Sequence, residues 1–253
     1  MTTLLEPTRE LRRLATRIDF ALGRYLSVRG NSALKSEFEA PRHGWTLSNL
    51  ALRHAEATLA LAKTDMVLAP TAWITARAAL ESAAKCLWLL QPDDEWQRES
   101  RFVAFLTEGV RIKREETEGL PHIVAQSASI EELRDGVKAK LLEKRVDVPD
   151  VPSMKNILLA ENLGLAQFYV LASQYTHAAE LGTRSYRKDL GTKAIYGEFV
   201  AAKDWIQPMW IAYSSFRVTA LRLIDLQGED HGEDLDLADR QVSEARDDFL
   251  AAL

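Results

Sequence analysis

Two oppositely charged side chains interrupt an otherwise apolar segment of the chain. Arg77 and Glu81 stand four residues apart within residues 71–90, which predict a helix that is apolar on nearly all sides. That spacing places both side chains on one helix face, where they can form an ion pair. Charges removed from water are costly unless they are paired and hydrogen-bonded. Three interpretations follow: a buried pair that fixes helix register, a site where Arg77 binds an anion or Glu81 acts as a base, or an exposed face.

A second arginine lies on another apolar helix face. Arg217 falls within the predicted helix 199–227, on the same face as Trp210 and Tyr213. Its guanidinium group can stack on these rings, which is one interpretation of its position. Guanidinium groups also bind carboxylates and phosphates through paired hydrogen bonds. Two arginines in two apolar helices therefore predict, as the alternative, one shared anionic site.

One histidine is the best candidate for a general acid or base. His177 lies on a predicted helix over residues 163–181, and an unperturbed imidazole pKa near 6.5 suits proton transfer at neutral pH. The alternative is a solvated histidine on an exposed polar face. The polar stripe of this helix consists of Tyr169, Ser173, His177, Glu180 and, if the helix is extended, Arg184.

Other chemistries lack their sequence patterns. Cys86 is the only cysteine, so the chain can form neither an internal disulfide nor a cysteine-rich zinc site, and its apolar surroundings indicate a core residue. The five histidines form none of the close pairs typical of zinc or di-iron sites. Neither a glycine-rich phosphate loop nor a nucleophile elbow is present. We therefore expect no metal and no cofactor.

Charge is distributed unevenly along the 253 residues. The formal net charge is −5, but residues 1–35 carry seven basic and three acidic side chains, whereas residues 229–248 carry nine acidic and two basic ones. Either the two ends attract each other or stay solvated, or the basic start meets nucleic acid or an acidic partner. A pI near 5.7 argues against a dedicated nucleic-acid-binding domain.

The pattern of apolar residues predicts an all-α protein. We expect a single bundle-like domain over residues 1–253, with about eight helices around the central apolar helix 71–90. Residues 29–44 and 183–197 are predicted as loops. No apolar run is long enough for a membrane helix and no secretory signal opens the chain, so the expected location is cytoplasmic. The predicted helices cover residues 8–28, 46–68, 71–90, 95–118, 129–144, 153–161, 163–181, 199–227 and 235–253.

The segment from Arg77 to Ala84, followed downstream by Tyr169, Ser173 and His177, resembles a group of uncharacterised bacterial all-helical proteins. In that group an R-x-x-x-E pattern on a central helix accompanies a later S-x-x-x-H pattern. The group is loosely similar to HEPN-type helical proteins. That resemblance implies a role in toxin–antitoxin or antiviral systems, as a metal-independent RNase or as an RNA- or nucleotide-binding module. HEPN RNases carry an arginine four to six residues before a histidine, and no histidine here has one.

Three functions follow from these patterns. The first is a defence- or stress-linked protein that binds RNA or a nucleotide, either as a binding module or as a metal-independent RNase. The second is a non-enzymatic interaction protein in which the Arg77–Glu81 pair is structural and an apolar helix face forms a homodimer or binds a partner protein. The third is a pocket for a small acidic ligand, lined by the arginines together with Trp73, Trp88 and Trp210. For the first function, the catalytic candidates are Arg77, Glu81 and His177, and the anion-binding candidates are Tyr169, Ser173, Arg184, Tyr213 and Arg217.

Overall fold

The computed structural model describes residues 5–116, 121–160, 164–189, 191–228 and 232–253, and most of this chain is α-helical. A two-stranded antiparallel hairpin is the only sheet within these ranges. The predicted all-α class is therefore confirmed. The elements are α1 (Arg9–Arg29), α2 (Glu39–Thr64), α3 (Ala69–Leu90), α4 (Glu95–Glu116), α5 (Pro121–Lys144), α6 (Met154–Ala160), α7 (Ala166–Thr176), α8 (Glu180–Thr183), β1 (Arg187–Lys188), β2 (Ile195–Tyr196), α9 (Ile206–Asp225) and α10 (Gly232–Ala251).

Helix α3 is the central element, as predicted for residues 71–90. It packs most extensively along α2 and α9 and also contacts α7. Its many alanines keep side chains short, which allows neighbouring helices to approach closely. Two apolar clusters form the core, and α2, α3 and α9 contribute buried residues to both. That residues 1–253 form one domain stays a prediction.

Helix α2 begins inside residues 29–44, which the sequence predicts as a loop. The Glu99 carboxylate of α4 accepts a hydrogen bond from the backbone N–H of Ala40 at 2.5 Å, which supplies a cap that the first residues of α2 lack. Gly44 lies within the helix, where an added Cβ would stand 2.6 Å from the Leu90 side chain. The glycine therefore marks a close helix contact rather than a loop.

Helix α7 ends at Thr176, before the predicted end at residue 181. Ala178 adopts a φ of +49°, a left-handed conformation that interrupts the helix. Helix α8 then forms a separate single turn, and the chain continues into the β1–β2 hairpin. As a consequence, Glu180 and Arg184 do not extend the polar stripe of α7, and the predicted continuous stripe is wrong.

The two ends of the chain contact each other. The predicted helices 8–28 and 235–253 form as α1 and α10, which pack together, and Arg13 forms an ion pair with Asp248 at 3.1 Å.

Helix α9 begins at residue 206 rather than at the predicted residue 199. Pro208 lies in its first turn, where the missing backbone N–H removes no intrahelical hydrogen bond, so it neither kinks nor breaks the helix.

Candidate functional site

Helices α3 and α7 together position four polar side chains, which we call the Arg77 cluster: Arg77, Glu81, Tyr169 and His177. Arg77 and Glu81 lie one turn apart on α3, Tyr169 lies on α7, and His177 is the residue that ends α7. The packing of α7 against α3 brings these residues together although a hundred positions separate Arg77 from His177.

Each nitrogen of the Arg77 guanidinium group has a different partner. Nε donates to Oε1 of Glu81 at 2.7 Å, and Nη2 donates to the Tyr169 hydroxyl at 3.3 Å. Nη1 stands 3.4 Å from Nε2 of His177. The guanidinium carbon also lies 4.9 Å from the centroid of the Tyr169 ring, a cation–π distance. Of these three contacts, only the bond to Glu81 has the length of an ordinary hydrogen bond. The distances to Tyr169 and His177 exceed the usual range for hydrogen bonds of this type.

The contact with Arg77 defines the form of His177 that fits the cluster. A guanidinium group can only donate hydrogen bonds, so a hydrogen bond at this contact requires the His177 tautomer with its lone pair on Nε2 and its proton on Nδ1. His177 is exposed, while the Arg77 side chain is 13% exposed and that of Glu81 32%. The cluster thus has a buried end at Arg77 and a solvent-facing end at His177.

Two other predicted anion-binding residues lie outside this cluster's contacts. The Ser173 hydroxyl donates to the backbone oxygen of Tyr169 at 2.7 Å, a bond within its own helix. Arg184 is exposed and pairs with Glu180 at 2.9 Å. Neither side chain is positioned by Arg77 or His177.

Arg217 and Tyr213 belong to a separate group, which we call the Asp239 cluster: Asp239, Arg217, Tyr213 and Tyr25. Arg217 donates from Nε to Oδ2 of Asp239 at 2.8 Å, and its Nη2 forms an ion pair with the same oxygen at 2.6 Å. The hydroxyls of Tyr25, at 2.8 Å, and Tyr213 both donate to Oδ1. This network joins α1, α9 and α10, so it fastens three helices together.

The protonation states of the Asp239 cluster follow from its contacts. Burial raises the pKa of Tyr25 and Tyr213, and their hydrogen bonds to Asp239 raise it further. Burial alone would raise the pKa of Asp239, but hydrogen bonds from Arg217 and both tyrosines outweigh burial and hold that pKa below its ordinary value. Burial likewise opposes the charge on Arg217, yet the hydrogen bond to Asp239 raises its pKa. At neutral pH the cluster is an ion pair with two neutral tyrosines.

Among the described residues, Arg77 and Arg217 have no hydrogen-bond or ion-pair partner in common. The structure therefore does not bring them into the shared anionic site that two arginines in apolar helices predicted. Arg77 reaches from α3 to α7, whereas Arg217 reaches from α9 to α10.

The three tryptophans predicted to line one ligand pocket have different neighbours. The Trp73 ring stacks on a tyrosine of α7, Arg101 lies over the Trp88 ring, and Arg246 lies over the Trp210 ring. About four turns of α3, or about 22 Å, separate Trp73 from Trp88. That distance is too great for one pocket around a small ligand, so the predicted tryptophan-lined pocket is wrong.

Arg29 is a buried cation that the sequence showed only as part of a basic stretch. Its guanidinium group donates to Ser48 at 2.7 Å and to Asn49 at 2.6 Å, and it lies near the rings of Trp45 and Phe216. Burial lowers the pKa of Arg29 to about 10. The arginine stands one turn beyond the last buried apolar residue of α1, on the same stripe. That continuation of the stripe is the signal that could have indicated its burial.

Metal and thiol chemistry have no supporting geometry in the described ranges. No group of three or more His, Cys, Asp or Glu side chains there is placed to hold a metal ion. Cys86 is buried, and burial raises the pKa of its thiol to about 12, so the thiol stays protonated.

Within the described ranges, no helix combines the length and apolar character needed to cross a membrane.

Comparisons of the chain with models of known families, with characterised proteins and with solved structures give no match. The resemblance to HEPN-type proteins therefore stays a prediction. Function has to be argued from the geometry of the two clusters, and only the Arg77 cluster has an exposed histidine beside its arginine.

Proposed function

We propose that the Arg77 cluster binds a phosphate group of RNA or of a nucleotide. The observation that carries this proposal is the orientation of Arg77: Glu81 holds Nε, while both terminal amino groups face Tyr169 and the exposed His177. Their present contacts are long, at 3.3 and 3.4 Å, and neither is with a carboxylate. A phosphate with two oxygens on the terminal amino groups would replace them with charge-assisted hydrogen bonds, which are about twice as strong as neutral ones.

The same arrangement supplies the groups for metal-independent RNA cleavage. In this proposal Nε2 of His177 accepts the proton of a ribose 2′-hydroxyl, and the resulting oxygen attacks the neighbouring phosphorus atom. The bond from phosphorus to the 5′-oxygen breaks, and that oxygen leaves with a proton from water. Arg77 stabilises the negative charge that grows on the phosphate oxygens. The resemblance to HEPN-type proteins implies a role in bacterial defence or stress, but the chain lacks the arginine–histidine spacing of HEPN RNases, so the cleavage reaction rests on the geometry of the Arg77 cluster alone.

RNA binding is the direct test of the proposal. We expect single-stranded RNA to bind with an affinity that falls as salt rises, because each neutralised phosphate releases counterions. Arg77→Lys keeps the charge but loses the planar pair of donors, so it should weaken binding. RNA binding that is absent, or that is unchanged in Arg77→Lys, would contradict the proposal.

Cleavage is tested separately, in buffer containing a metal chelator. We expect slow cleavage by the native chain and its loss in His177→Ala. His54→Ala is the matched control, because His54 lies on α2 and is part of neither cluster. Binding without cleavage would reduce the function to an RNA- or nucleotide-binding module.

The alternative is an interaction protein in which the Arg77 cluster only fastens α7 to α3. The parallel stack of Trp73 on Tyr175 joins the same two helices and favours this interpretation. A double-mutant cycle on Arg77 and Glu81 distinguishes the phosphate-binding role from the structural role when both the unfolding free energy and the RNA affinity are measured. If the variants change stability alone, the structural role is correct. The oligomeric state in solution, by light scattering, then tests the predicted homodimer.

A further inference from the structure

A cavity of about 500 Å³ opens beside the Arg77 cluster, between the start of α3, the end of α7 and the β1–β2 hairpin. Three tyrosine rings, an isoleucine and an arginine contribute to its wall, and we call it the tyrosine cavity. These residues are Ile74, Tyr175, Tyr186, Arg187 and Tyr196.

The tyrosine cavity and the Arg77 cluster are adjacent along two elements. Ile74 lines the cavity and precedes Arg77 by three positions, so the two lie on one face of α3 within about one turn. Ala178 also lines the cavity and directly follows His177. A ligand held at Arg77 and His177 can therefore extend toward the cavity.

The cavity wall suits a flat aromatic ring. Tyr196 is 77% exposed and Tyr186 48%, so the hairpin presents two large aromatic residues to solvent. Tyr175 is held in place by its stack on Trp73, with 5.1 Å between ring centroids and 3° between ring planes. Nucleic-acid bases stack on such aromatic side chains, and the interaction tolerates any base.

The cavity has charges of both signs near its wall. Arg187 lines it and makes no ion pair among the described residues, but Asp189 and Glu180 line a neighbouring groove together with Arg187. Burial and the charge of Asp204 raise the pKa of Tyr175. Arg187 therefore places a cation at the edge of an aromatic cavity, next to a proposed phosphate site.

We infer that the tyrosine cavity binds the base of a nucleotide unit whose phosphate lies at the Arg77 cluster. This inference rests on the proposed function and names the chemistry of its ligand: a nucleoside phosphate, either free or within single-stranded RNA. Bases inside a duplex are stacked on each other and cannot enter the cavity, so double-stranded RNA does not fit.

Calorimetric titrations with matched ligands test the inference on the full chain. Uridine 5′-monophosphate should bind about 5-fold to 100-fold more tightly than ribose 5-phosphate, because only the former carries a base to stack. A short single-stranded oligouridylate gives the third arm. Tighter binding of the oligouridylate assigns the site to RNA, and equal binding of the monophosphate assigns it to free nucleotides; both results support a base site.

Variants of the cavity wall locate the base. Tyr196→Ala should reduce the affinity for uridine 5′-monophosphate to that for ribose 5-phosphate, whereas Tyr196→Phe should keep the native value. Thr71→Phe places a ring in the cavity from an exposed position of α3 and should have the same effect as Tyr196→Ala. Phe20→Ala, which removes an exposed ring from α1, is the matched control and should change nothing.

The results of these titrations distinguish a failure of the base site in the tyrosine cavity from a failure of the phosphate site at the Arg77 cluster. If uridine 5′-monophosphate and ribose 5-phosphate bind equally and Tyr196→Ala has no effect, the base site is wrong while the phosphate site stands. If ribose 5-phosphate and uridine 5′-monophosphate both fail to bind, both the base site and the phosphate site are wrong.

Discussion

Two arginines enter apolar helices of this protein, and their partners differ in one decisive respect. Arg217 donates one hydrogen bond to Asp239 and forms an ion pair with it through a terminal amino group, while the second carboxylate oxygen accepts from two tyrosine hydroxyls. Arg77 makes one short bond, to Glu81, and its terminal amino groups have only long contacts, neither of them with a carboxylate. The Arg77 side chain is nevertheless the less exposed, at 13% against 35% for Arg217. The long contacts of its terminal amino groups, rather than exposure, therefore distinguish Arg77 from Arg217, and they are the reason for proposing phosphate binding at Arg77.

The largest expected difference between the clusters is in catalysis. Replacing His177 with alanine should lower the RNA cleavage rate by about 10²-fold to 10⁴-fold, the usual contribution of a general base. The exposed side chain contributes little to folding, so the thermal unfolding midpoint should stay the same. A cleavage rate equal to that of the native chain would remove His177 from the mechanism.

The second difference is in stability. Asp239→Ala leaves two tyrosine hydroxyls and Arg217 without their acceptor and should lower the free energy of unfolding by about 2–3 kcal/mol. Asp236→Ala, on the exposed face of the same helix, is the control and should change stability by less than about 0.5 kcal/mol. Urea unfolding measures both. RNA affinity should be unchanged, and a loss of affinity in Asp239→Ala would contradict the separation of the clusters.

Acid should weaken the Asp239 cluster. Because the pKa of Asp239 is lower in the folded chain than in the unfolded one, its contribution to stability is complete above the unfolded pKa of about 3.9 and is lost as the pH falls toward the folded value. Below about pH 4, the native chain should therefore lose stability more steeply with acid than Asp239→Asn does. If the native chain and Asp239→Asn lose unfolding free energy equally as the pH falls, the Asp239 carboxylate is not stabilised by its partners.

The smallest expected effect is at Ser173. Its hydroxyl bonds to the backbone of its own helix, so Ser173→Ala should change the unfolding free energy by less than about 0.5 kcal/mol. RNA affinity should also stay the same, although the sequence predicts Ser173 as an anion-binding residue. A marked loss of affinity would show that Ser173 turns toward the ligand when the ligand binds.

The sequence allows the central helix and the Arg77–Glu81 pair to be predicted because both depend on local spacing. Charges four residues apart meet on any helix, and the apolar pattern of residues 71–90 is independent of the rest of the chain. The stripe with His177 was predicted for a continuous helix, which the left-handed backbone at Ala178 interrupts. His177 still reaches Arg77, because it lies directly at the end of α7.

The partners of Arg217 and the burial of Arg29 could not be predicted in the same way. Asp239 lies in an acidic stretch typical of a solvated helix, and only the packing of α10 against α1 brings it to Arg217 and Tyr25. Arg29 has hydrogen-bond partners on α2, and its role depends on how closely those helices approach. Both features arise from tertiary packing, which residue types and spacing do not encode locally.

The most direct test of the central difference applies one substitution to both arginines. Arg77→Lys and Arg217→Lys each keep the charge and remove the planar donor pair. Titration with single-stranded RNA should show about a tenfold or greater loss of affinity for Arg77→Lys, which corresponds to about 1.4 kcal/mol, and native affinity for Arg217→Lys. Equal losses in both variants, or native affinity in Arg77→Lys, would contradict the assignment of phosphate binding to the Arg77 cluster.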